Sequence, residues 1–251
     1  MSTAAYLRRI GYNGPLRRDA ETLAALQRAH LLAVPFDALD CHFGVPVSLD
    51  PAAVYAKVVD RKRGGFCYEL NGLFAWLLHE LGFRVTRLAA RPFTREGELA
   101  PPFAHLTLMV EIDNRRWLVD VGFGYWSLAP LDLDDSGQQA DGDRRFIVQP
   151  DGAGMLAEEV GVLRRRIGYR FTLEPRRLED FAAQCQAYAT AVDSPFVVRG
   201  PLSQALPDGW VTVTREELIG SRGGVILDRP IRDEADWRAT LREQFGLNPY
   251  S

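Results

Sequence analysis

Cysteine is scarce in this chain. Cys41, Cys67 and Cys185 are the only three in 251 residues, an odd number with no CxxC pair among them. That argues against a disulfide framework or a structural zinc knuckle, and it suits a reducing cytoplasm. A strong charge excess is lacking too: 30 Lys and Arg against 33 Asp and Glu leave a net charge of −3. Such a balance gives no electrostatic footprint for nucleic acid or an acidic membrane as partner. No run approaches the roughly 18 apolar residues of a membrane-spanning helix. The opening "MSTAAYLRRIGYNG" has no apolar signal core, so a cytoplasmic location is expected. Repeats and low-complexity tracts are absent. The local clusters Arg144-Arg145 and Arg164-Arg165-Arg166 read as solvated strand ends or loops, with a phosphate as the alternative partner.

The composition is that of an ordinary globular protein, 47% apolar and 25% charged. The length suits one large domain or two to three lobes sharing a core. The first third reads helical. Thr3 to Arg9 ends at Gly11, "DAETLAALQRAHLL" starts at a capping Asp19, and Asp50-Pro51 opens a third helix. A fourth runs from about Cys67 to Leu81, with Leu70, Leu73, Phe74, Leu77 and Leu78 on its apolar face and Gly82 as terminator. Beyond residue 83 the pattern changes. "FRVTRLAARPF", "HLTLMVEID", "RRWLVDVGF", "RRFIVQP" and "YRFTLEP" read as strands. A helix after Pro175, the strands "GWVTVT" and "GGVILD", and a last helix carrying Trp237, Leu241 and Phe245 complete the chain. Helices, then an antiparallel barrel or sheet, then a small mixed lobe predict an α+β fold.

One cysteine has an unusual setting. In "RKRGGFCYELNGLFAWLLHELG" Cys67 follows two glycines at the start of an amphipathic helix. Glycine accepts dihedrals that other residues resist, so the chain can enter the helix sharply. Unpaired N–H groups and the positive helix end meet there and favour thiolate, so a lowered Cys67 pKa is expected. The same N–H groups suit an oxyanion. A small buried hydrophobe is the alternative reading of a free cysteine.

A thiolate nucleophile needs an imidazole. His30 lies on a helix stripe, as a packed histidine would. His42 sits in a loop. His79 begins a HExxH pattern that Phe83 breaks. His105 opens the strand "HLTLMVEI". If Asp113-Asn114 is a two-residue turn, Thr107 faces Asp120, and His105 and Asp120 become diagonal neighbours on one face. A carboxylate inside "WLVDVGF" needs a partner when buried, and a protonated His105 would supply it. Cys67, His105 and Asp120 then form a nucleophile, base and orienter. A rim hydrogen bond for Asp120 is the bland alternative. A Cys-His-Asp metal site is the rival, disfavoured because three distant ligands show no local spacing.

These residues resemble the arylamine N-acetyltransferase family. "RGGFCYELN" is similar to its nucleophile motif, "DVGFG" at 120–124 to the stretch holding its Asp, and "VPFDALD" at 34–40 to its N-terminal "VPFEN" segment. The order and spacing of Cys67, His105 and Asp120 also match. The resemblance runs from about residue 5 to the end and is weakest in the last third. It implies a helical bundle (1–83), a β-barrel (84–188) and an α/β lid (189–251) around a cysteine-protease-like catalytic core. It implies acetyl-CoA as donor and an arylamine, arylhydrazine or N-hydroxyarylamine as acceptor. The acetyl group would pass through an acetyl-Cys67 thioester in ping-pong order. By position, Phe36 and Phe123 would line the acceptor pocket, and Gly124 would border the opening for CoA. No metal is implied, and a homodimer is left open.

"YATAVDSPF" departs from the family, with Ala191-Val192 where Ser-Pro is usual, while Thr190, Ser194 and Phe196 match. That bears on acceptor choice and CoA contacts rather than on the triad. The competing functions are an amide synthase closing a macrolactam on the same triad, a papain- or transglutaminase-like cysteine hydrolase, and a binding module with an inert Cys67.

Overall fold

A computed structural model of the chain describes residues 1–161 and 167–247. The Arg164-Arg165-Arg166 run lies outside the described residues. The helical third is built as its caps dictate. Helix α1 (Thr3–Arg9) starts at Ser2, and α2 (Ala20–Ala33) starts at Asp19, whose carboxylate accepts from the Thr22 N–H. Strand β1 (Phe36–Asp37) and the short α3 (Leu39–His42) follow. Helix α4 (Pro51–Tyr55) has Asp50 as its cap and runs into a π-helical turn, Ala56–Asp60. Helix α5 (Cys67–Glu80) is the core of this part. Leu70, Leu73, Phe74, Leu77 and Leu78 are buried against Tyr6, Leu23, Leu26 and Val58. Gly82, at φ +85°, takes the left-handed position that ends the helix.

Eight strands follow: β2 (Arg84–Pro92), β3 (His105–Ile112), β4 (Arg115–Val119), β5 (Leu131–Asp132), β6 (Gln139–Asp141), β7 (Arg144–Asp151), β8 (Gly154–Glu159) and β9 (Gly168–Phe171). They make one antiparallel sheet in the order β5-β4-β3-β2-β9-β8-β7-β6. Its two ends meet through one side chain. Gln139 of β6 accepts from the Asp132 N–H of β5 at 2.6 Å and donates to the Asp132 carbonyl at 2.8 Å. The sheet is therefore a nearly closed barrel, filled by Leu88, Leu118, Trp126, Phe146 and Tyr169. The β3–β4 turn is Asp113-Asn114, both at positive φ, as a two-residue hairpin requires. Leu108 stands opposite Val119 and Val110 opposite Trp117, the register expected from the sequence.

After a 3₁₀ turn (Leu178–Phe181) come α6 (Ala182–Thr190), α7 (Pro195–Arg199), β10 (Leu202–Leu206), β11 (Gly209–Val213), β12 (Glu217–Arg222), β13 (Val225–Pro230) and α8 (Glu234–Phe245). The second sheet runs β1-β10-β11-β12-β13. Phe36 of β1 pairs with Ser203 of β10, which ties the first third of the chain to the last. Trp237 and Leu241 bury α8 against Leu39, Leu202 and Val211. The helix expected from Pro175 starts later. Arg176 is held in a β-bridge to Arg87, so helical turns begin only at Leu178. Strands β1, β5, β6, β8, β10 and β12 were not legible. Three are only two or three residues long, and "GMLAEE", "LSQAL" and "ELIGSR" carry little β-branched alternation. Among the described residues no helix is long and apolar enough to cross a membrane.

Candidate active site

The approach to Cys67 is shaped by space rather than by unusual dihedrals. The left-handed residue of the turn is Lys62, at φ +56°. Gly64 and Gly65 are not in that region. A Cβ on Gly64 would fall 2.2 Å from the Pro35 carbonyl oxygen, and one on Gly65 3.0 Å from Glu69 Cβ. Gly64 thus lets the turn pass the Pro35 backbone and Gly65 leaves room for the Glu69 side chain, which corrects the conformational reason expected from the sequence. A buried charge network underlies the turn. Glu69 Oε2 accepts from the Phe66 N–H at 3.1 Å and so caps α5. Lys57 Nζ donates to both Glu69 oxygens, at 2.8 and 2.9 Å, and lies 2.7 Å from Asp40. Burial alone would lower the Lys57 ammonium; Glu69 and Asp40 outweigh it and hold it above its ordinary value. Arg63 pairs with Asp37 at 2.8 Å. Removing one member would strand a buried charge, so the set fixes the turn.

The β3–β4 hairpin brings His105 and Asp120 together, with 2.6 Å between Nε2 and Oδ2. Asp120 Oδ1 accepts from Asn71 Nδ2 and from the Gly122 N–H, each at 2.9 Å. Asn71 also donates to the Leu106 carbonyl at 2.6 Å and accepts from the Val121 N–H at 2.9 Å. One turn beyond Cys67 on α5, Asn71 therefore staples the helix that carries Cys67 to the hairpin. The fit is close: a Cβ on Gly122 would lie 2.8 Å from Cys67 Cα. Burial would raise the Asp120 carboxyl, but the His105 charge and these donors prevail and hold it below its ordinary value. Tyr169 and Phe123 flank the imidazole, at 5.3 and 5.4 Å between ring centres.

Cys67 departs from expectation. It is 3% exposed, and burial pushes its thiol well above the ordinary value, against smaller opposing contributions from backbone hydrogen bonds. The helix start does not make it a thiolate by itself. A thiol so placed calls for a base to take its proton. With Nε2 on Asp120, the imidazole has Nδ1 left for that exchange.

Five of the expected residues, Cys67, His105, Phe36, Phe123 and Gly124, line one cavity of about 630 Å³. Asp120 lies buried beneath His105. Phe36 and Phe196 hold their rings 6.0 Å apart on one wall. Gly124, at φ +84°, passes close to Phe36 and Ser203. Ser194 is structural: its hydroxyl donates to the Tyr188 carbonyl and accepts from the Phe196 N–H at the start of α7. Val192 is 89% exposed. The other histidines are elsewhere. His30 Nδ1 shares a 2.8 Å hydrogen bond with the buried Tyr6 hydroxyl, His42 bonds the Val197 carbonyl, and His79 is exposed. Arg144 is engaged with Glu159 and stacked on Tyr125 rather than open to a phosphate. Sequence reasoning missed Glu69, Asn71, Gly122 and Tyr169. Asn71 had a visible signal: an uncharged polar residue four positions after Cys67 in an otherwise apolar helix.

A buried thiol and an imidazole on one cavity, with a carboxylate behind the imidazole, are parts suited to covalent acyl transfer. A family model described as N-acetyltransferase matches residues 19–249. The chain is 36% identical to an arylamine N-acetyltransferase of Mycolicibacterium smegmatis, over 99% of this chain and 92% of that one. It is 32% identical to the Proansamycin X synthase of Amycolatopsis mediterranei, over 94% of each. The solved arylamine N-acetyltransferase of Mycobacterium marinum in complex with CoA superposes with a TM-score of 0.89 at 31% identity, over 98% of this chain and 93% of that one.

Proposed function

Because this chain belongs to the arylamine N-acetyltransferase family, we propose that it moves acetyl from acetyl-CoA to an arylamine, arylhydrazine or N-hydroxyarylamine through an acetyl-Cys67 thioester. The observation that carries the reading is the 2.6 Å His105–Asp120 bond beside a cavity that Cys67 and His105 share. His105 takes the Cys67 proton, and the thiolate attacks the thioester carbonyl of acetyl-CoA. Backbone N–H groups at the start of α5 receive the developing oxyanion. The CoA thiolate leaves, protonated by His105. The neutral amine then attacks acetyl-Cys67, His105 takes the amine's proton, and the Cys67 thiol is regenerated. Asp120 holds the imidazole's orientation and balances its charge in both halves.

Phe36 and Phe123 hold the aryl ring, and Gly124 leaves room for CoA to approach. We divide the chain into the bundle 1–83, the barrel 84–188 and the lid 189–251. The lid keeps water from the acetyl-enzyme, which would otherwise hydrolyse. Initial velocities against acetyl-CoA at several fixed concentrations of an arylamine or arylhydrazine test the order. Parallel double-reciprocal lines are expected; intersecting lines would mean a ternary complex and overturn it. Amide synthesis on a larger acyl group is the second reading. It is favoured by the similarity to a Proansamycin X synthase.

A further inference from the structure

A second open pocket, of about 690 Å³, shares no lining residue with the cavity around Cys67. Its basic side is Arg87 on β2 with Arg176 and Arg177 from the segment after β9. Arg87 and Arg176 stand opposite each other in an isolated antiparallel bridge, with the Arg176 N–H donating to the Arg87 carbonyl at 2.9 Å. Residues so placed carry their side chains on one face at about 5 Å between Cβ atoms, where like charges repel. Both Nε atoms are buried and have no hydrogen-bond partner among the described residues. The carboxylates nearby are already engaged, one of them with Arg176 itself. Glu174 binds Arg176, Glu179 lies 3.4 Å from Arg177, and Asp50 caps α4. Burial lowers the Arg87 guanidinium, with Glu179 opposing from a distance. The rest of the lining is Leu49, Pro51, Leu178 and Ala182, with the carboxylates Asp50 and Glu179 beside them.

We infer that this pocket binds a small organic carboxylate, its head group on Arg87 and Arg176 and its apolar body against Leu49, Pro51 and Leu178. A guanidinium pairs with a carboxylate through two parallel N–H···O bonds, and the anion would relieve the repulsion across the bridge. The apolar walls favour an aryl or alkyl carboxylate over a bare inorganic anion. The site adjoins the catalytic parts. Leu178 packs 3.5 Å from where a Cβ on Gly72 of α5 would lie, and Arg176 stacks on Phe103, two residues before His105.

Calorimetric titration of the full chain with benzoate, and with neutral benzamide as control, tests the site. Saturable benzoate binding is expected, weaker by about tenfold or more in Arg87→Gln, as loss of a charge-assisted contact predicts. Benzamide should bind far more weakly than benzoate. Exposed Arg177→Gln should weaken benzoate by a smaller factor. No saturable binding, or equal affinity in the wild type and Arg87→Gln, would overturn the site. Should Arg87→Gln fail to fold, 4-iodobenzoate in crystals of the wild-type chain decides. Iodine density beside Arg87 supports the proposal, and density only in the Cys67 cavity contradicts it.

Discussion

Cys67 carries a thiol that burial makes a weaker acid than a free cysteine. On the proposed mechanism its reactivity depends on His105, and that gives a direct test at the scale of single residues. Alkylation of Cys67 by iodoacetamide at pH 7 should be fast in the wild type and fall by about 10²-fold or more in His105→Ala. In that variant the rate should go on rising with pH through and beyond 9, because the thiol now ionises alone. An unchanged rate at pH 7 would mean the thiolate forms without the imidazole. Asn71 is the second test. Asn71→Ala leaves the Val121 N–H unsatisfied and takes one donor from Asp120. A stability loss of about 2–3 kcal/mol in urea is expected, with kcat/KM down by about 10²-fold or more. Wild-type kcat/KM in a folded variant would remove Asn71 from the positioning of the triad. The nearness of Cys67, His105 and Asp120 was legible because each broke a local pattern: a cysteine after two glycines, a histidine opening a strand, a carboxylate inside an apolar one. Glu69 escaped notice because its partner Lys57 lies on a separate element, and no local periodicity joins them.

Elements hold these residues in register. The Asp113-Asn114 turn sets the β3–β4 pairing, and an even shift keeps His105 and Asp120 on one face whereas an odd shift parts them. That was readable because turn chemistry and strand alternation are both local. The short strands of both sheets were not, since their pairing depends on distant partners. Helix packing carries its own prediction. His30 of α2 shares a hydrogen bond with Tyr6 of α1, and burial, aided by the Arg9 charge, pushes its imidazole down to about 3. The unfolded chain takes up that proton below its ordinary value near 6.5, and the folded chain does not. Stability is therefore complete above pH 6.5 and falls as pH drops towards 3. Between pH 6.5 and 5 the loss should be about 2 kcal/mol by urea denaturation. His30→Phe should lack that part of the slope. Parallel slopes for the two proteins would refute the assignment to His30.

At the scale of the whole molecule, the site lies where three parts of the chain meet. Helix α5 brings Cys67 and Asn71, the barrel hairpin brings His105 and Asp120, and the Phe36–Ser203 pairing brings the second sheet to the cavity wall. The sequence order of helices, strands and a mixed end foretold the α+β class. It did not foretell that β1 would join a sheet built from residues beyond 200, because such a partnership leaves no local trace. The claim that unites these scales is that Cys67 is acylated in turnover. Intact mass spectrometry with peptide mapping, after mixing the protein with acetyl-CoA and no amine, tests it most directly. A single acetyl group on Cys67, discharged when an arylamine is added, is the predicted result. An unacetylated Cys67, in protein whose Cys67 still alkylates fast at neutral pH, would contradict acetyl-CoA as the donor.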